Sequence, residues 1–173
     1  MWFDIKLFTV LNGLAARNGI FDGLIVFFAQ TAPYVLGIVF LLFLAFAVRG
    51  RYAKIRIFLV GALAGILARL GITELIRFFY HRPRPFTALP IRQLLSSDNW
   101  SFPSGHAAFF FAVSTVVFLY SRSWGIVFFS LAIAMTVSRI IAGIHYPSDI
   151  LGGALVGIGT GYLVFVFAKK RLG

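Results

Sequence analysis

The 173-residue chain contains no cysteine, which excludes disulfides and thiolate metal sites. Acid is nearly as scarce: Asp4, Asp22, Glu74, Asp98 and Asp149 are its only five carboxylates, and His81, His106 and His145 its only three imidazoles. No acidic cluster of the kind that holds magnesium or zinc can be assembled from them on neighbouring positions. Low-complexity tails, linkers rich in proline or serine and long-period repeats are also absent. Charged residues make up only 12% of the chain, too few for the surface of an ordinary soluble domain.

What is present is apolar. Hydrophobic residues account for 60% of the chain, and the mean hydropathy is +0.93. The length accommodates about five or six membrane spans of about 20 residues with short connections, so a single domain, 1–173, is expected. Five strong runs stand out, at 21–48, 57–79, 107–120, 124–144 and 150–168. Each is expected to be a helix, because a lipid-exposed backbone must satisfy its own hydrogen bonds. The expected fold is therefore an all-α polytopic transmembrane bundle. Pro33 predicts a kink or break near Thr31 to Tyr34, and Pro103 predicts the start of the short third run.

Residues 1–17 carry Asp4, Lys6 and Arg17 and lack both a basic opening and a small-residue cleavage pattern, so a removable signal peptide is not expected. Trp2, Phe3, Ile5, Leu7, Phe8, Val10, Leu11 and Leu14 recur at near-helical spacing. That suits a helix lying at the membrane interface, with a short sixth span as the alternative. Gly152, Gly153, Gly157 and Gly161 in the last run, and Gly61 and Gly65 in the second, mark faces for close helix packing. A homodimer through these faces is the second reading.

The formal net charge is +11. The basic residues are scattered between apolar runs rather than gathered on one face, which argues against nucleic acid and for membrane topology and anionic substrates. Arg49, Arg51, Lys54, Arg56, Arg122, Lys169, Lys170 and Arg171 fall on one side of successive spans, the cytoplasmic side by the positive-inside rule. Three polar clusters then face outward: Arg77 with Arg84-Pro85; Pro103-Ser104-Gly105-His106; and Ser138-Arg139 with His145 and Asp149.

Each cluster has a chemical reading. Pro147 and Ser148 predict a helix opening just after His145, with Asp149 one turn deeper. A carboxylate there can hold one imidazole nitrogen and leave the other free to attack. Ser104 and Gly105 predict a helix mouth whose unpaired N–H groups suit an oxyanion, beside His106 as a proton donor. Arginines on the same anion would neutralise a phosphoryl-transfer transition state without a metal or cofactor. Glu74 is placed to pair with Arg77, with Arg69 finding other partners inside the bundle, while a transporter-like proton relay through Glu74 is the sharper alternative. Asp22, Asp98 and His81 read as surface or interfacial, and Arg82 and Arg92 could serve a solvated loop that binds headgroups.

These clusters resemble the signature of the type 2 phosphatidic acid phosphatase superfamily of membrane lipid phosphatases. That pattern is a Lys, six residues and Arg-Pro; then Pro-Ser-Gly-His; then Ser-Arg, five residues, His, three residues and Asp. The chain matches it in order across 77–149, except that Arg77 stands where the pattern has Lys. The resemblance implies His145 as nucleophile forming a phosphohistidine, Asp149 as its partner and His106 as acid. It implies a phosphate cradle of Arg77, Arg84, Ser104, Gly105 and Arg139. Arg82-Pro83-Arg84-Pro85-Phe86 and Ala32-Pro33-Tyr34 further resemble bacterial undecaprenyl diphosphatases linked to bacitracin resistance, which implies a polyprenyl diphosphate substrate outside the bacterial cytoplasmic membrane. A phosphatidylglycerophosphate or phosphatidate phosphatase is the alternative within the family. A non-catalytic lipid-phosphate binder or small transporter is the alternative outside it.

Overall fold

A computed structural model describes residues 2–172, and the described residues form helices and connecting turns without strands. The helices are α1 (Trp2–Asn12), α2 (Gly19–Ala47), α3 (Arg51–Phe79), the short α4 (Pro85–Ala88), α5 (Gly105–Tyr120), α6 (Arg122–Ile141) and α7 (Pro147–Leu172). Four of them, α2, α3, α6 and α7, are long and apolar enough to cross a membrane, and α5 is a shorter apolar helix. The protein is a multi-pass membrane protein. At 11 residues, α1 is about 16 Å long, half of a hydrocarbon core of about 30 Å, so it does not cross.

Helix α5 is the centre of the bundle. Nearly all of its residues from Gly105 to Val117 are buried, and it packs on α3, α6 and α7. Glycine sets its distance from α7: a Cβ at Gly153, Gly157 or Gly161 would come within 2.4, 2.4 and 2.6 Å of the carbonyl oxygens of Ser104, Ala108 and Ala112. The four-residue glycine stripe is thus used inside the bundle, where bare backbone lets two helices touch. Gly61 and Gly65 do the same against the rings of Phe40 and Phe109. Phe8, Phe40, Phe43, Phe128 and Met135 fill the main apolar core beside α5.

Two irregularities position the polar residues. A π-helical turn at Phe27–Thr31 precedes Pro33, which has no N–H to offer the carbonyl of Ala29 four residues back. That carbonyl accepts Arg139 Nη1 at 2.7 Å. A second π-helical turn, Leu67–Thr73, interrupts α3. Pro103 lies just ahead of α5 rather than inside its first turn: Ser104 is the N-cap, its Oγ accepting the Ala107 N–H at 3.4 Å. A hydroxyl at this position satisfies a helical N–H that proline cannot, so the cap sets the boundary.

Candidate active site

The five residues between Arg139 and His145 are a helix ending. Gly143, at φ +86°, closes α6 with paired bonds from Gly143 N to Ile140 O (3.0 Å) and from Ile144 N to Arg139 O (3.2 Å). That is a Schellman closure, which requires a residue at positive φ and so favours glycine. Two residues later His145 is fully enclosed, and α7 opens at Pro147. Asp149, third in the helix, reaches back to accept the Tyr146 N–H at 2.7 Å, as an acid in a capping box does.

Asp149 is completely buried and held from several sides. Its Oδ2 faces His145 Nδ1 at 3.4 Å and also accepts the Ser101 hydroxyl, while Oδ1 accepts Arg82 Nη1 at 2.7 Å. Arg82 continues to Asp4 Oδ2 at 2.6 Å and lies 4.2 Å from the centre of the Tyr146 ring. Asp4, from α1, also accepts Ser148 N at 2.9 Å and so caps the helix that carries Asp149. Burial works against the Arg82 charge, but the bonds to Asp4 and Asp149 outweigh it and hold the guanidinium above its ordinary value. Arg82, Asp4 and Ser101 are the residues that motif reading missed. The scarcity of acid was the available signal: two of the chain's five acidic residues, Asp4 and Asp149, pair with Arg82.

His145 Nε2 points the other way, to Arg84 Nη1 at 3.3 Å. With Nδ1–H directed at Asp149, Nε2 is the unprotonated nitrogen, and its lone pair faces the Arg84 guanidinium on the side where a phosphoryl group would enter. Burial pushes the imidazole down to about 4; its contact with Asp149 opposes that, and the charges of Arg139 and Arg84 add to it. The ring is therefore neutral, and able to act as a nucleophile, at any pH above about 4.

Arg84 is locked in place. Nε donates to Asn99 O at 2.6 Å, Nη1 to Ile144 O at 2.7 Å and Nη2 to Trp100 O at 3.4 Å. Its fork thus grips backbone, and it presents a fixed charge beside Nε2; burial and the neighbouring Arg77 pull that guanidinium down to about 10. Arg77 bonds Glu74 Oε1 at 3.0 Å, as expected, and donates to Pro103 O at 2.9 Å, which ties α3 to the mouth of α5. Arg77 Nε and Arg139 Nε are buried without a hydrogen-bond partner. Native proteins rarely leave such donors unmatched outside functional sites.

His106, half-buried in the first turn of α5, lies within electrostatic reach of Arg139, Arg69, His145 and Arg77. The first N–H groups of α5, at Gly105 and His106, have no intrahelical acceptor. Ser104 is already committed: its N–H donates to Asp149 O at 3.0 Å and its Oγ caps Ala107, so only the hydroxyl proton is left for a ligand. Among the described residues no three of His, Asp and Glu converge as a metal site, and the cations gathered here are guanidinium groups. His81 is exposed against Trp100, and Arg92 binds the carbonyls of Gly13 and Ala15, away from the site.

The arrangement offers a neutral imidazole oriented by a carboxylate, a second imidazole, and a field of arginines with open N–H groups. It can take a phosphoryl group from an ester or anhydride.

Comparison with known proteins finds membrane phosphatases among the chain's relatives. A profile described as the PAP2 superfamily matches residues 57–172. The undecaprenyl-diphosphatase BcrC of Bacillus subtilis is 33% identical over 168 residues, which cover 95% of this chain and 84% of that protein. A Bacillus licheniformis relative named bacitracin transport permease protein BcrC is 28% identical over 170 residues, covering 96% and 81%. The crystal structure of Aquifex aeolicus LpxE superposes with a TM-score of 0.73 at 28% identity, covering 94% of each chain.

Proposed function

This chain belongs to the PAP2 superfamily, and on that premise we propose that it removes the terminal phosphate of a polyprenyl diphosphate, undecaprenyl diphosphate being the best-supported substrate. The observation that carries the reading is His145, enclosed and neutral, with Nδ1 on Asp149 and Nε2 at the arginine cluster. Nε2 attacks the terminal phosphorus; the P–N bond forms as the bridging P–O bond breaks, and that electron pair leaves on the lipid phosphate. His106 supplies a proton to the departing oxygen. Water then attacks the phosphohistidine, His106 takes its proton, the P–N pair returns to Nε2, and inorganic phosphate leaves.

Asp149 accepts the Nδ1–H throughout and offsets the positive charge that the ring gains. Arg77, Arg84 and Arg139 with the Gly105 N–H neutralise the equatorial oxygens, while Ser104 offers its hydroxyl. The membrane is the bacterial cytoplasmic membrane, and the site faces outward. What supports that side is the distribution of Arg49 to Arg56, Arg122 and Lys169 to Arg171, which falls at the ends of the spans opposite His145; Tyr52, Arg56, Tyr120 and Lys169 line one cavity there.

Two experiments test this. Purified protein in excess EDTA is expected to release phosphate from polyprenyl diphosphates faster than from phosphatidate or phosphatidylglycerophosphate. A reversed order makes it a glycerolipid phosphatase, and tight binding without release makes it a binder. In intact cells, a cysteine placed at Ser97 should react with an impermeant maleimide, and one placed after Arg171 should not. The opposite labelling puts the site in the cytoplasm.

A further inference from the structure

Sequence alone leaves Arg69 with an expectation of partners inside the bundle. The structure gives it none: among the described residues Arg69 makes no hydrogen bond and no ion pair, although it lies within a membrane span, where an unpaired charge is costly. Arg69 and Arg77 stand eight residues apart, which in a regular α-helix would set them about 80° apart around the axis. The π-helical turn Leu67–Thr73 takes up that offset. Arg69, Thr73 and Arg77 all face Gly105: Cγ of Arg69, Cγ2 of Thr73 and Nη2 of Arg77 lie 3.5, 3.8 and 3.8 Å from where a Cβ there would stand.

Thr73 supplies an independent observation. Ser114, Thr115, Thr136, Ser138 and Thr160 each donate their hydroxyl to the carbonyl four residues back, the usual resting place of a hydroxyl on an apolar helix. Thr73, on the π-helical turn, does not. Its Oγ1 is fully buried and has no hydrogen-bond partner. An arginine without an anion and a threonine whose hydroxyl has no acceptor therefore stand one turn apart on the helix face that meets the mouth of α5. Arg69 is also within electrostatic reach of His106, the group placed to protonate a leaving oxygen.

We propose that Arg69 and Thr73 form a second phosphate subsite, which holds the phosphate remaining on the lipid while the terminal one is transferred to His145. This rests on the reading of the protein as a diphosphatase. A prenyl monophosphate or phosphatidate leaves behind a neutral alcohol, with no second phosphate at the bridging oxygen for a cation to hold. A diphosphate leaves behind a phosphate ester, on which negative charge grows as the bridging bond breaks. Arg69 therefore stabilises the transition state for diphosphates selectively, and Thr73 donates to the same group.

The test compares a polyprenyl diphosphate with the monophosphate of the same chain. Arg69→Gln is expected to lower kcat/KM for the diphosphate by about 10- to 100-fold, the loss of one charged hydrogen bond, and to leave the monophosphate within about threefold. Thr73→Val, which keeps the shape, should follow it with a smaller loss, and Arg69→Lys should recover part of the activity. Equal losses on both substrates, or none on either, would overturn the subsite. A second readout needs no turnover: protection against thermal unfolding by methylenediphosphonate relative to methylphosphonate. The wild type should favour the diphosphonate, and Arg69→Gln should abolish that preference. If wild-type protein hydrolyses no diphosphate but the preference is present and lost in the variant, the diphosphatase reading fails and the subsite stands. If diphosphate is hydrolysed and the preference is unchanged in the variant, the subsite fails alone.

Discussion

His145→Ala is expected to lower kcat on a polyprenyl diphosphate by on the order of 10⁴-fold or more, because it removes the attacking atom and no neighbour can replace it. Asp149 would still accept from Ser101, Tyr146 N and Arg82, and Arg84 would still hold the carbonyls of Asn99, Trp100 and Ile144. The surrounding scaffold therefore has its own ties, and the variant should purify as a folded protein that binds methylenediphosphonate. A folded His145→Ala protein with more than about a tenth of wild-type kcat would remove His145 from the chemistry, since a lost nucleophile costs far more than that.

His106→Ala carries the second-largest effect, about 10²- to 10⁴-fold on substrates with poor leaving groups, the range for a positioned acid. The loss should shrink on an aryl phosphate, whose phenolate departs with little help, when formation of the phosphoenzyme is followed in a single turnover. Steady-state turnover on the aryl phosphate should still suffer, because His106 also takes the proton of the attacking water in the second step. Equal damage in single-turnover phosphorylation by good and poor leaving groups would mean that His106 shapes the site rather than donating a proton. The proposed role needs a ring at the mouth of α5, and His106 sits on its first turn, within electrostatic reach of Arg139, Arg69 and Arg77.

Much of the helical architecture was legible because lipid leaves the backbone few alternatives and apolar runs expose the spans. The opening of α7 was legible as well, since Pro147 to Asp149 encodes a helix beginning, whereas the apolar run to Ile144 hid the closure of α6 at Gly143. Pairings between distant segments were not. Asp4 reaches Ser148 across 144 positions and Arg82 across 78, and no local pattern announces either contact. The π-helical turn at Leu67–Thr73 was hidden for a different reason: it holds no proline and its glycine, Gly71, is ordinary in a membrane helix, and only packing against α5 shows that Arg69, Thr73 and Arg77 share a face. Pro33 did announce its irregularity, but not that the carbonyl of Ala29 would take Arg139.

A covalent phosphoenzyme is the most direct test of the account. Purified protein would be mixed with polyprenyl diphosphate carrying ³²P in its terminal phosphate, quenched in alkali within milliseconds and digested. An alkali-stable, acid-labile label is expected on the peptide containing His145, present in EDTA and absent from His145→Ala. A burst of phosphate release with no label on that peptide, or the same label on His145→Ala protein, would contradict it.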